Sequence, residues 1–297
     1  MDQAERLRNI VKQKNPTDTR RARVITVTSG KGGVGKSSIS INLAIQFAKQ
    51  GKKVIIFDAD FGLANIEVMF GAIPKYNLAD MIFKGKDFKD IIINGPEDIG
   101  FISGGSGING LANMNQDQLA RLVYKLQELE VMADIIIIDT GAGISDSVLE
   151  FVTAGSEVVL VTTPEPTSIT DSYALLKSLN ARNSFDKNAT VINVIANKVV
   201  NEEEGINLYN KLDVVVSRFL NINLKFLGII PNDSNMQKAV MQQKPVSLAY
   251  PNSTGSKAFE KILDKLMGNN EENQGKKKGL TYAVVNMFKN IHKKGNK

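Results

Sequence analysis

The sequence contains no cysteine and no tryptophan, and its single histidine, His292, lies near the end of the chain. Without cysteine the chain can form no disulfide, cannot hold an iron–sulfur cluster on thiolates and has no thiol nucleophile. One distant histidine argues against histidine-based metal binding or acid–base chemistry in the body of the protein. No apolar run approaches the roughly 20 residues of a membrane-spanning helix, and the polar start DQAERLR is not a signal peptide. We therefore expect a cytoplasmic protein.

An excess of positive charge is also absent from the body of the chain. The net charge is +6, but residues 1–23 carry +4 and residues 276–297 carry +7, which leaves −5 for the residues between them. A body of this charge is unsuited to gripping DNA, so we expect no nucleic-acid partner. The basic ends are instead suited to acidic surfaces such as anionic lipid.

A glycine-rich loop, residues 24–37 (VITVTSGKGGVGKS), organises the rest of the chain. It follows a β-branched run and precedes a helical pattern, and the spacing of Gly30, Gly35, Lys36 and Ser37 fits a phosphate-binding loop. In such a loop Lys36 reaches the β- and γ-phosphates of ATP, or the β-phosphate of ADP, and the Ser37 hydroxyl binds Mg²⁺. The predicted phosphate-contacting residues are Gly30, Lys31, Gly32, Gly33, Val34, Gly35, Lys36, Ser37 and Ser38.

Two further strands end in carboxylates. The buried run 54–57 leads into DADFGLAN, with Asp58 and Asp60, and an isoleucine run leads into Asp139 of DIIIIDTGAG. Ligands of open α/β sheets bind at the carboxyl ends of the strands. We predict that Asp139 holds the magnesium through water. The alternative is that these carboxylates only cap strand ends and turns.

The alternation of strands and helices predicts an α/β fold with a doubly wound, mostly parallel sheet over residues 22–268. Further strands are expected at 99–103, 157–162, 189–196 and 224–230, and helices at 38–50, 116–132, 168–179 and 207–220. Residues 269–279 have the composition of a linker.

Residues 280–294 predict an amphipathic helix that ends the chain. Its apolar positions are Leu280, Val284, Met287, Phe288 and Ile291, and lysines surround them. An apolar stripe in a basic setting is typical of a membrane-targeting helix that lies in the interface. The alternative is a terminal helix that packs on the protein's own body.

The loop GKGGVGKS resembles the deviant Walker A loop of the MinD/ParA ATPases, and the likeness covers about residues 22–268. The resemblance implies an ATP-dependent homodimer in which Lys31 reaches the phosphates of the partner subunit. It also implies that Asp60 orients the attacking water and that Asp58 organises the surroundings of the Mg²⁺. The resulting catalytic set is Lys31, Lys36, Asp60 and Asp139, and the metal set is Ser37, Asp58 and Asp139.

The resemblance extends to the base of the nucleotide. Asn197 is similar to a residue that offers its amide to adenine, and Pro231, Asn232 and Asp233 are similar to a loop that packs on the base. The same residue types are ordinary turn formers after strands, so the pattern alone does not separate the two interpretations.

Residues 1–21 form a separate N-terminal arm in which positions 2–14 predict a short amphipathic helix. DQAERLR resembles the N-terminal segment of the flagellar branch of the MinD-like family, whose members control flagellar number and placement. In that branch the segment stimulates the signal-recognition-particle-type GTPase FlhF, and flagellar switch-complex proteins are further partners. The resemblance assigns GTPase binding to Asp2, Gln3, Leu7 and Arg8.

Two other functions fit part of this pattern. A septum-placement ATPase of the MinD type would share the body and the terminal helix but lack the arm. A ParA-like DNA-partition ATPase would be expected to have a cationic surface on its body and no lipid-binding tail, and salt-sensitive binding of nonspecific DNA by residues 20–268 would favour it.

Overall fold

The computed structural model describes residues 21–60, 65–71, 74–104, 116–155, 157–268 and 279–286. The predicted GTPase-binding residues and the last three apolar positions of the terminal helix, Met287, Phe288 and Ile291, lie outside the described residues. The described residues form one eight-stranded sheet in the order β3-β4-β2-β5-β1-β6-β7-β8. The strands are β1 (Arg23–Ser29), β2 (Val54–Ala59), β3 (Ile93–Asn94), β4 (Gly100–Ser103), β5 (Ile135–Ala142), β6 (Glu157–Thr162), β7 (Val191–Val199) and β8 (Leu224–Pro231).

Helices cover both faces of this sheet. They are α1 (Lys36–Lys49), α2 (Asn65–Phe70), α3 (Leu78–Lys84), α4 (Phe88–Ile91), α5 (Gln116–Met132), α6 (Asp146–Ala154), α7 (Pro166–Asn180), α8 (Glu202–Leu220), α9 (Ser234–Met241), α10 (Val246–Ala249) and α11 (Thr254–Gly268). A short helix over residues 280–286, which we call the tail helix, follows them. Within the described residues, no helix is both long enough and apolar enough to cross a membrane.

All neighbouring strands run parallel except β3 and β4, which are antiparallel. The central strands are aliphatic on both faces because helices cover both sides of the sheet. Along β1, for example, Val24 joins the apolar cluster on one face and Ile25 joins the cluster on the other. The predicted doubly wound, mostly parallel α/β fold is thus confirmed.

Some helix boundaries differ from those expected. Helix α8 begins five residues earlier than predicted, because Asn201 caps its N-terminus by accepting a hydrogen bond from the Glu204 N–H at 2.9 Å. Three glutamates then occupy the first turn, where negative charge is favourable. The apolar periodicity used for the prediction starts only after them. Helix α11 was not predicted, although Phe259, Ile262, Leu263 and Leu266 are buried at helical spacing.

The tail helix packs on the body of the protein. Leu280 and Val284 are 0% and 1% exposed and belong to the same apolar cluster as Leu126 and Leu129 of α5. Burial of two leucine- or valine-sized side chains contributes about 3–6 kcal/mol relative to exposure. The arrangement given as the alternative to a membrane anchor is therefore the one present in this structure.

Candidate functional site

The glycine-rich loop joins the end of β1 to the start of α1 at the carboxyl edge of the sheet. Gly33 and Gly35 have φ angles of +74° and +97°, which favour glycine. Helix α1 starts at Lys36, so its N-terminal N–H groups face the loop, an arrangement that binds anions. Lys36 is only 8% exposed. Burial lowers the pKa of Lys36, and the carboxylates of Asp139 and Asp60 oppose that shift.

Packing also requires glycine at two positions of the loop. A β-carbon at Gly30 would lie 2.1 Å from the carbonyl oxygen of Asp171 in α7. A β-carbon at Gly35 would lie 2.6 Å from the Asn197 amide nitrogen. Gly32 has no such constraint, since its φ lies outside the left-handed region and the nearest atom to an added β-carbon is 3.9 Å away.

Two carboxylates lie side by side behind the loop. Asp58 on β2 and Asp139 on β5 are partners in the register of the neighbouring strands. Asp139 is 0% exposed and its Oδ1 accepts a hydrogen bond from Ser40 Oγ at 2.8 Å. Burial raises the pKa of Asp139 to about 6. Burial, followed by the repulsion from Asp139, raises the pKa of Asp58 to about 8.

One carboxylate oxygen of this pair is a hydrogen-bond acceptor without a donor among the described residues. The Oδ2 of Asp139 is buried and has no hydrogen-bond partner among the described residues. A buried polar atom of this kind requires an explanation, and a bound ion is one of the common ones. The Ser37 side chain also lies close enough to Asp139 to lower its pKa, so a hydroxyl and a carboxylate converge. These are the oxygen donors that Mg²⁺ prefers.

These oxygen donors fit a magnesium site that the protein shares with a bound nucleotide. They do not form a site built from protein ligands alone. Among the described residues, no group of three or more His, Cys, Asp or Glu side chains is arranged to hold a metal. Mg²⁺ is usually held by one or two protein ligands together with water and the phosphates of the substrate. Ser37 and Asp139 therefore fit the ion only together with a nucleotide.

Asp60 directly follows the last residue of β2. Its backbone N–H donates to Asp58 Oδ1 at 2.9 Å, which closes a tight turn after β2. A β-carbon at Gly141 would lie 3.5 Å from Asp60 Oδ1, so the carboxylate lies beside the loop that follows Asp139. The structure thus brings Asp58, Asp60 and Asp139 together with Lys36, and the separate roles of the carboxylates stay predictions.

Lys31 interacts with its own chain. Its Nζ donates to the Glu165 carboxylate and, at 2.9 Å, to Thr167 Oγ1, both at the start of α7. The side chain of Lys31 is 34% exposed and that of Glu165 is 57% exposed. The ammonium group is consequently at the surface and is held by a weak, solvent-exposed ion pair.

The predicted base-binding residues have other contacts in this structure. Asn197 is 4% exposed, and its Nδ2 donates to the Val34 carbonyl of the glycine-rich loop at 2.6 Å. Asp233 caps helix α9 through Asn235 N–H and also accepts from Thr254 Oγ1 and Gly255 N–H, each at 2.9 Å. Burial raises the pKa of Asp233, but these hydrogen bonds outweigh it and lower the pKa overall.

The other two base-binding predictions lie on the same loop. Asn232 is exposed, and its N–H donates to the Val199 carbonyl at 2.8 Å, while Pro231 pairs with Val199 at the end of β8. Asp233 therefore acts as a helix cap in this structure, which is the turn-forming alternative to base binding that the sequence left open.

Three residues near the site were missed from the sequence. Ser40 lies three residues after Ser37 on the same face of α1, and this helical spacing could have identified it. Ser103 Oγ donates to Glu67 Oε1 at 2.6 Å and so joins the end of β4 to α2. Nothing in the sequence pattern links those two positions, which lie 36 residues apart.

A parallel sheet with a strand–glycine loop–helix unit and two carboxylates on neighbouring strands defines the class of P-loop nucleoside triphosphatases. Comparison with known proteins agrees. A family model described as ParA, NUBPL iron-transfer P-loop NTPase, matches residues 20–267. The sequence is 42% identical to the antiactivator FleN of Pseudomonas aeruginosa over 82% of this chain and 85% of that protein. It is 35% identical to the flagellum site-determining protein YlxH of Helicobacter pylori over 90% of each chain.

Solved structures support the fold. The septum site-determining protein MinD of Pyrococcus horikoshii, complexed with Mg-ADP, has a TM-score of 0.65 and 23% identity, and covers 86% of this chain and 100% of its own. The chain belongs to the ParA family of P-loop NTPases, in the MinD-like branch that contains FleN and YlxH (FlhG). The protein is accordingly an ATPase. Iron transfer does not carry over with the family, because this sequence has no cysteine to bind a cluster.

Proposed function

We propose that this ATPase regulates the number and placement of flagella, as a nucleotide-dependent dimer that binds the membrane and activates the GTPase FlhF. The names of the two relatives, an antiactivator and a flagellum site-determining protein, support the flagellar assignment. The residues proposed to act on the GTPase are Asp2, Gln3, Leu7 and Arg8. Flagellar switch-complex proteins are proposed as further partners.

The position of Lys31 is the main observation that supports the proposed dimer. Its ammonium group lies at the surface of the carboxyl edge, on weak and exposed partners of its own chain. A phosphate of a second subunit's nucleotide is a stronger partner for a lysine than an exposed carboxylate. Ile144 and Val200, which follow β5 and β7 at the same edge, are 54% and 78% exposed. A second copy placed on this edge would cover both apolar side chains.

The chemistry proposed for the site is phosphoryl transfer to water. Mg²⁺, when bound with the nucleotide, neutralises charge on the β- and γ-phosphate oxygens. The Ser37 hydroxyl would bind the ion, and Asp139 would hold it through water. Lys36 and the partner's Lys31 stabilise the phosphates, and Asp60 orients the attacking water. Most of the catalysis in this arrangement comes from positioning and charge neutralisation.

Membrane binding requires the tail helix to leave the body. Leu280 and Val284 are buried in the structure, so they cannot contact lipid until the helix undocks. One short basic helix binds a membrane weakly, and two helices from one dimer bind much more strongly through their effective concentration. Dimerisation by ATP would in this way control residence at the membrane.

The first experiment measures GTP turnover by FlhF of the same organism with a peptide of residues 1–23. We expect the peptide to accelerate GTP hydrolysis, Gln3→Ala to remove the effect, and Gln13→Ala, the matched control, to retain it. Failure of both the native peptide and the full-length protein to stimulate would contradict the flagellar assignment. A membrane ATPase of the septum-placement type would then be the better interpretation.

A second experiment tests the dimer and the membrane separately. Flotation on vesicles rich in anionic lipid should recover more protein with ATP than with ADP. Lys31→Ala should lose this difference, whereas Lys187→Ala, an exposed lysine after α7, should retain it. Equal recovery with both nucleotides for the unaltered protein would contradict the nucleotide-dependent membrane step.

A further inference from the structure

Strand β7 ends in an irregularity beside the glycine-rich loop. The pairing of β7 with β8 shifts register between Asn197 and Val199, so Lys198 is an extra residue at that point. Lys198 also has a φ angle of +60°, in the left-handed region. A lysine gains nothing locally from this conformation, which is unfavourable for any residue with a β-carbon. Bulges of this kind often redirect a side chain next to an active site.

The irregularity directs two consecutive side chains onto two consecutive carbonyl groups of the loop. Lys198 Nζ donates to the Gly33 carbonyl at 2.9 Å, and Asn197 Nδ2 donates to the Val34 carbonyl at 2.6 Å. The Lys198 N–H donates in turn to Asn197 Oδ1 at 2.9 Å, which fixes the orientation of the amide. The two residues therefore act as one clamp on the loop.

A phosphate-binding loop works only when its N–H groups point inward, so its carbonyl groups must point outward. Glycines at positions 32, 33 and 35 leave this part of the chain with many accessible conformations. A donor on the Gly33 carbonyl and another on the Val34 carbonyl restrict those peptide planes before the nucleotide arrives. Restriction before binding improves affinity because less conformational entropy is lost on binding.

We propose that Lys198 is a positioning residue for the ATPase reaction, which holds the Gly33 carbonyl outward and so pre-organises the phosphate loop. The left-handed backbone at Lys198 is retained because it aims the side chain at the loop. This inference depends on the nucleotide-binding activity of the family and is independent of the flagellar role.

Substitution by glycine separates stability from positioning. Lys198→Gly removes the ammonium group and also relieves the left-handed backbone, so the Tm of the nucleotide-free protein should stay the same or rise. Its affinity for a fluorescent ADP analogue should nevertheless fall by about fivefold to tenfold, the effect of losing one solvent-exposed hydrogen bond. Lys198→Met keeps the strained backbone and the apolar stem but not the donor, and it should lose the same affinity.

Asn221→Gly is the matched control, because Asn221 is also left-handed, with a φ of +53°, at the exposed end of α8. It should change Tm in the same direction as Lys198→Gly and leave ADP affinity unchanged. A merely structural role for Lys198 would predict that affinity falls only where Tm falls.

The measurement uses the full-length protein at a temperature well below the Tm of every variant. Affinity weakened by more than about threefold in both Lys198 variants, with Asn221→Gly unaffected, is the expected result. Affinity within about threefold of the unaltered protein in either Lys198 variant would overturn the proposal. Faster exchange of the Gly33 to Gly35 amide hydrogens in both variants should accompany the loss.

Discussion

Two buried carboxylates in different parts of the molecule have opposite environments. Asp139, at the carboxyl edge of the sheet, is 0% exposed and leaves Oδ2 without a partner among the described residues. Glu130, near the end of α5, is 2% exposed and uses both oxygens. Its Oε1 accepts from Thr281 N–H at 2.9 Å and Thr281 Oγ1 at 3.0 Å, and its Oε2 lies 3.9 Å from Arg21 Nη1.

The difference identifies what each region binds. The partners of Glu130 come from the same chain, at the root of the N-terminal arm and at the first turn of the tail helix. A carboxylate at a helix N-terminus accepts hydrogen bonds from the free N–H groups and interacts favourably with the helix dipole. Glu130 therefore stabilises the docking of the tail helix on the body. Asp139 has no such internal partner for its Oδ2 within the described part of the chain, and a buried charge of this kind is suited to an ion that comes with a ligand.

The largest expected effect comes from removing the positive charge of Lys36, the buried lysine of the phosphate-binding loop. Lys36→Gln leaves the phosphates and Asp139 without their buried positive charge, and it should lower ATP turnover by more than about 100-fold. It should also abolish nucleotide-dependent dimerisation, which sizing chromatography with ATP measures. Lys53→Gln, an exposed lysine before β2, is the control and should behave as the unaltered protein. Normal ATP-dependent dimers of Lys36→Gln would contradict the assignment of this loop.

Asp139→Asn tests the role of Asp139 as the carboxylate that awaits a bound ion. Loss of the carboxylate removes a magnesium ligand, and a loss of several kcal/mol in charge stabilisation lowers turnover by about 100-fold. Magnesium should then no longer raise Tm in the presence of ADP.

The same substitution should stabilise the protein when EDTA removes metal. Burial raises the pKa of Asp139 from its ordinary value to about 6. Its contribution to stability is therefore present below about pH 4 and is lost as the pH rises through 6. The Asp139→Asn variant should have a higher Tm than the unaltered protein above about pH 6, but not below about pH 4. If the Asp139→Asn variant is instead less stable than the unaltered protein at about pH 8, the ionised Asp139 carboxylate already has its partner in the metal-free protein.

Local sequence patterns predicted the phosphate-binding loop and the carboxylates beside it. The contacts that these patterns did not predict join residues far apart in the sequence. Lys36, Ser37 and Asp139 were found because their chemistry is tied to short spacings and to the ends of strongly apolar strands. Gly30 was predicted as part of the phosphate loop, but the packing of Asp171 at 2.1 Å from its missing β-carbon accounts for it, and no spacing shows that contact.

The tail helix shows a different limit. Leu280 and Val284 of the predicted apolar stripe lie on the tail helix, but an apolar stripe does not say whether lipid or protein covers it. Glu130 would have indicated the docked form, yet it is separated from Thr281 by 151 residues. In the sequence, Glu130 is one acid among several at the end of an amphipathic helix.

Glu130→Gln should weaken the docking of the tail helix by about 1–3 kcal/mol, because a charged acceptor for two donors is lost. Faster cleavage by a protease between residues 269 and 279, and stronger binding to anionic vesicles without nucleotide, measure this effect. Glu128→Gln is the matched control, since Glu128 is 37% exposed and its ion pair with Lys125 lies at the surface. Unchanged cleavage in Glu130→Gln would mean that apolar contacts alone hold the helix.

Thr281→Val should give the smallest effect, because it removes one of the two donors to Glu130 and keeps the shape of the side chain. The backbone N–H of residue 281 still reaches the carboxylate, so the expected loss is about 0.5–1.5 kcal/mol, one ordinary hydrogen bond. Protease cleavage should therefore rise less than in Glu130→Gln, and the double variant should show nearly the effect of Glu130→Gln alone, since both changes break the same contact. Effects that simply add would place the Thr281 hydroxyl and Glu130 in independent interactions, and Glu130 would then resemble Asp139 more than the structure indicates.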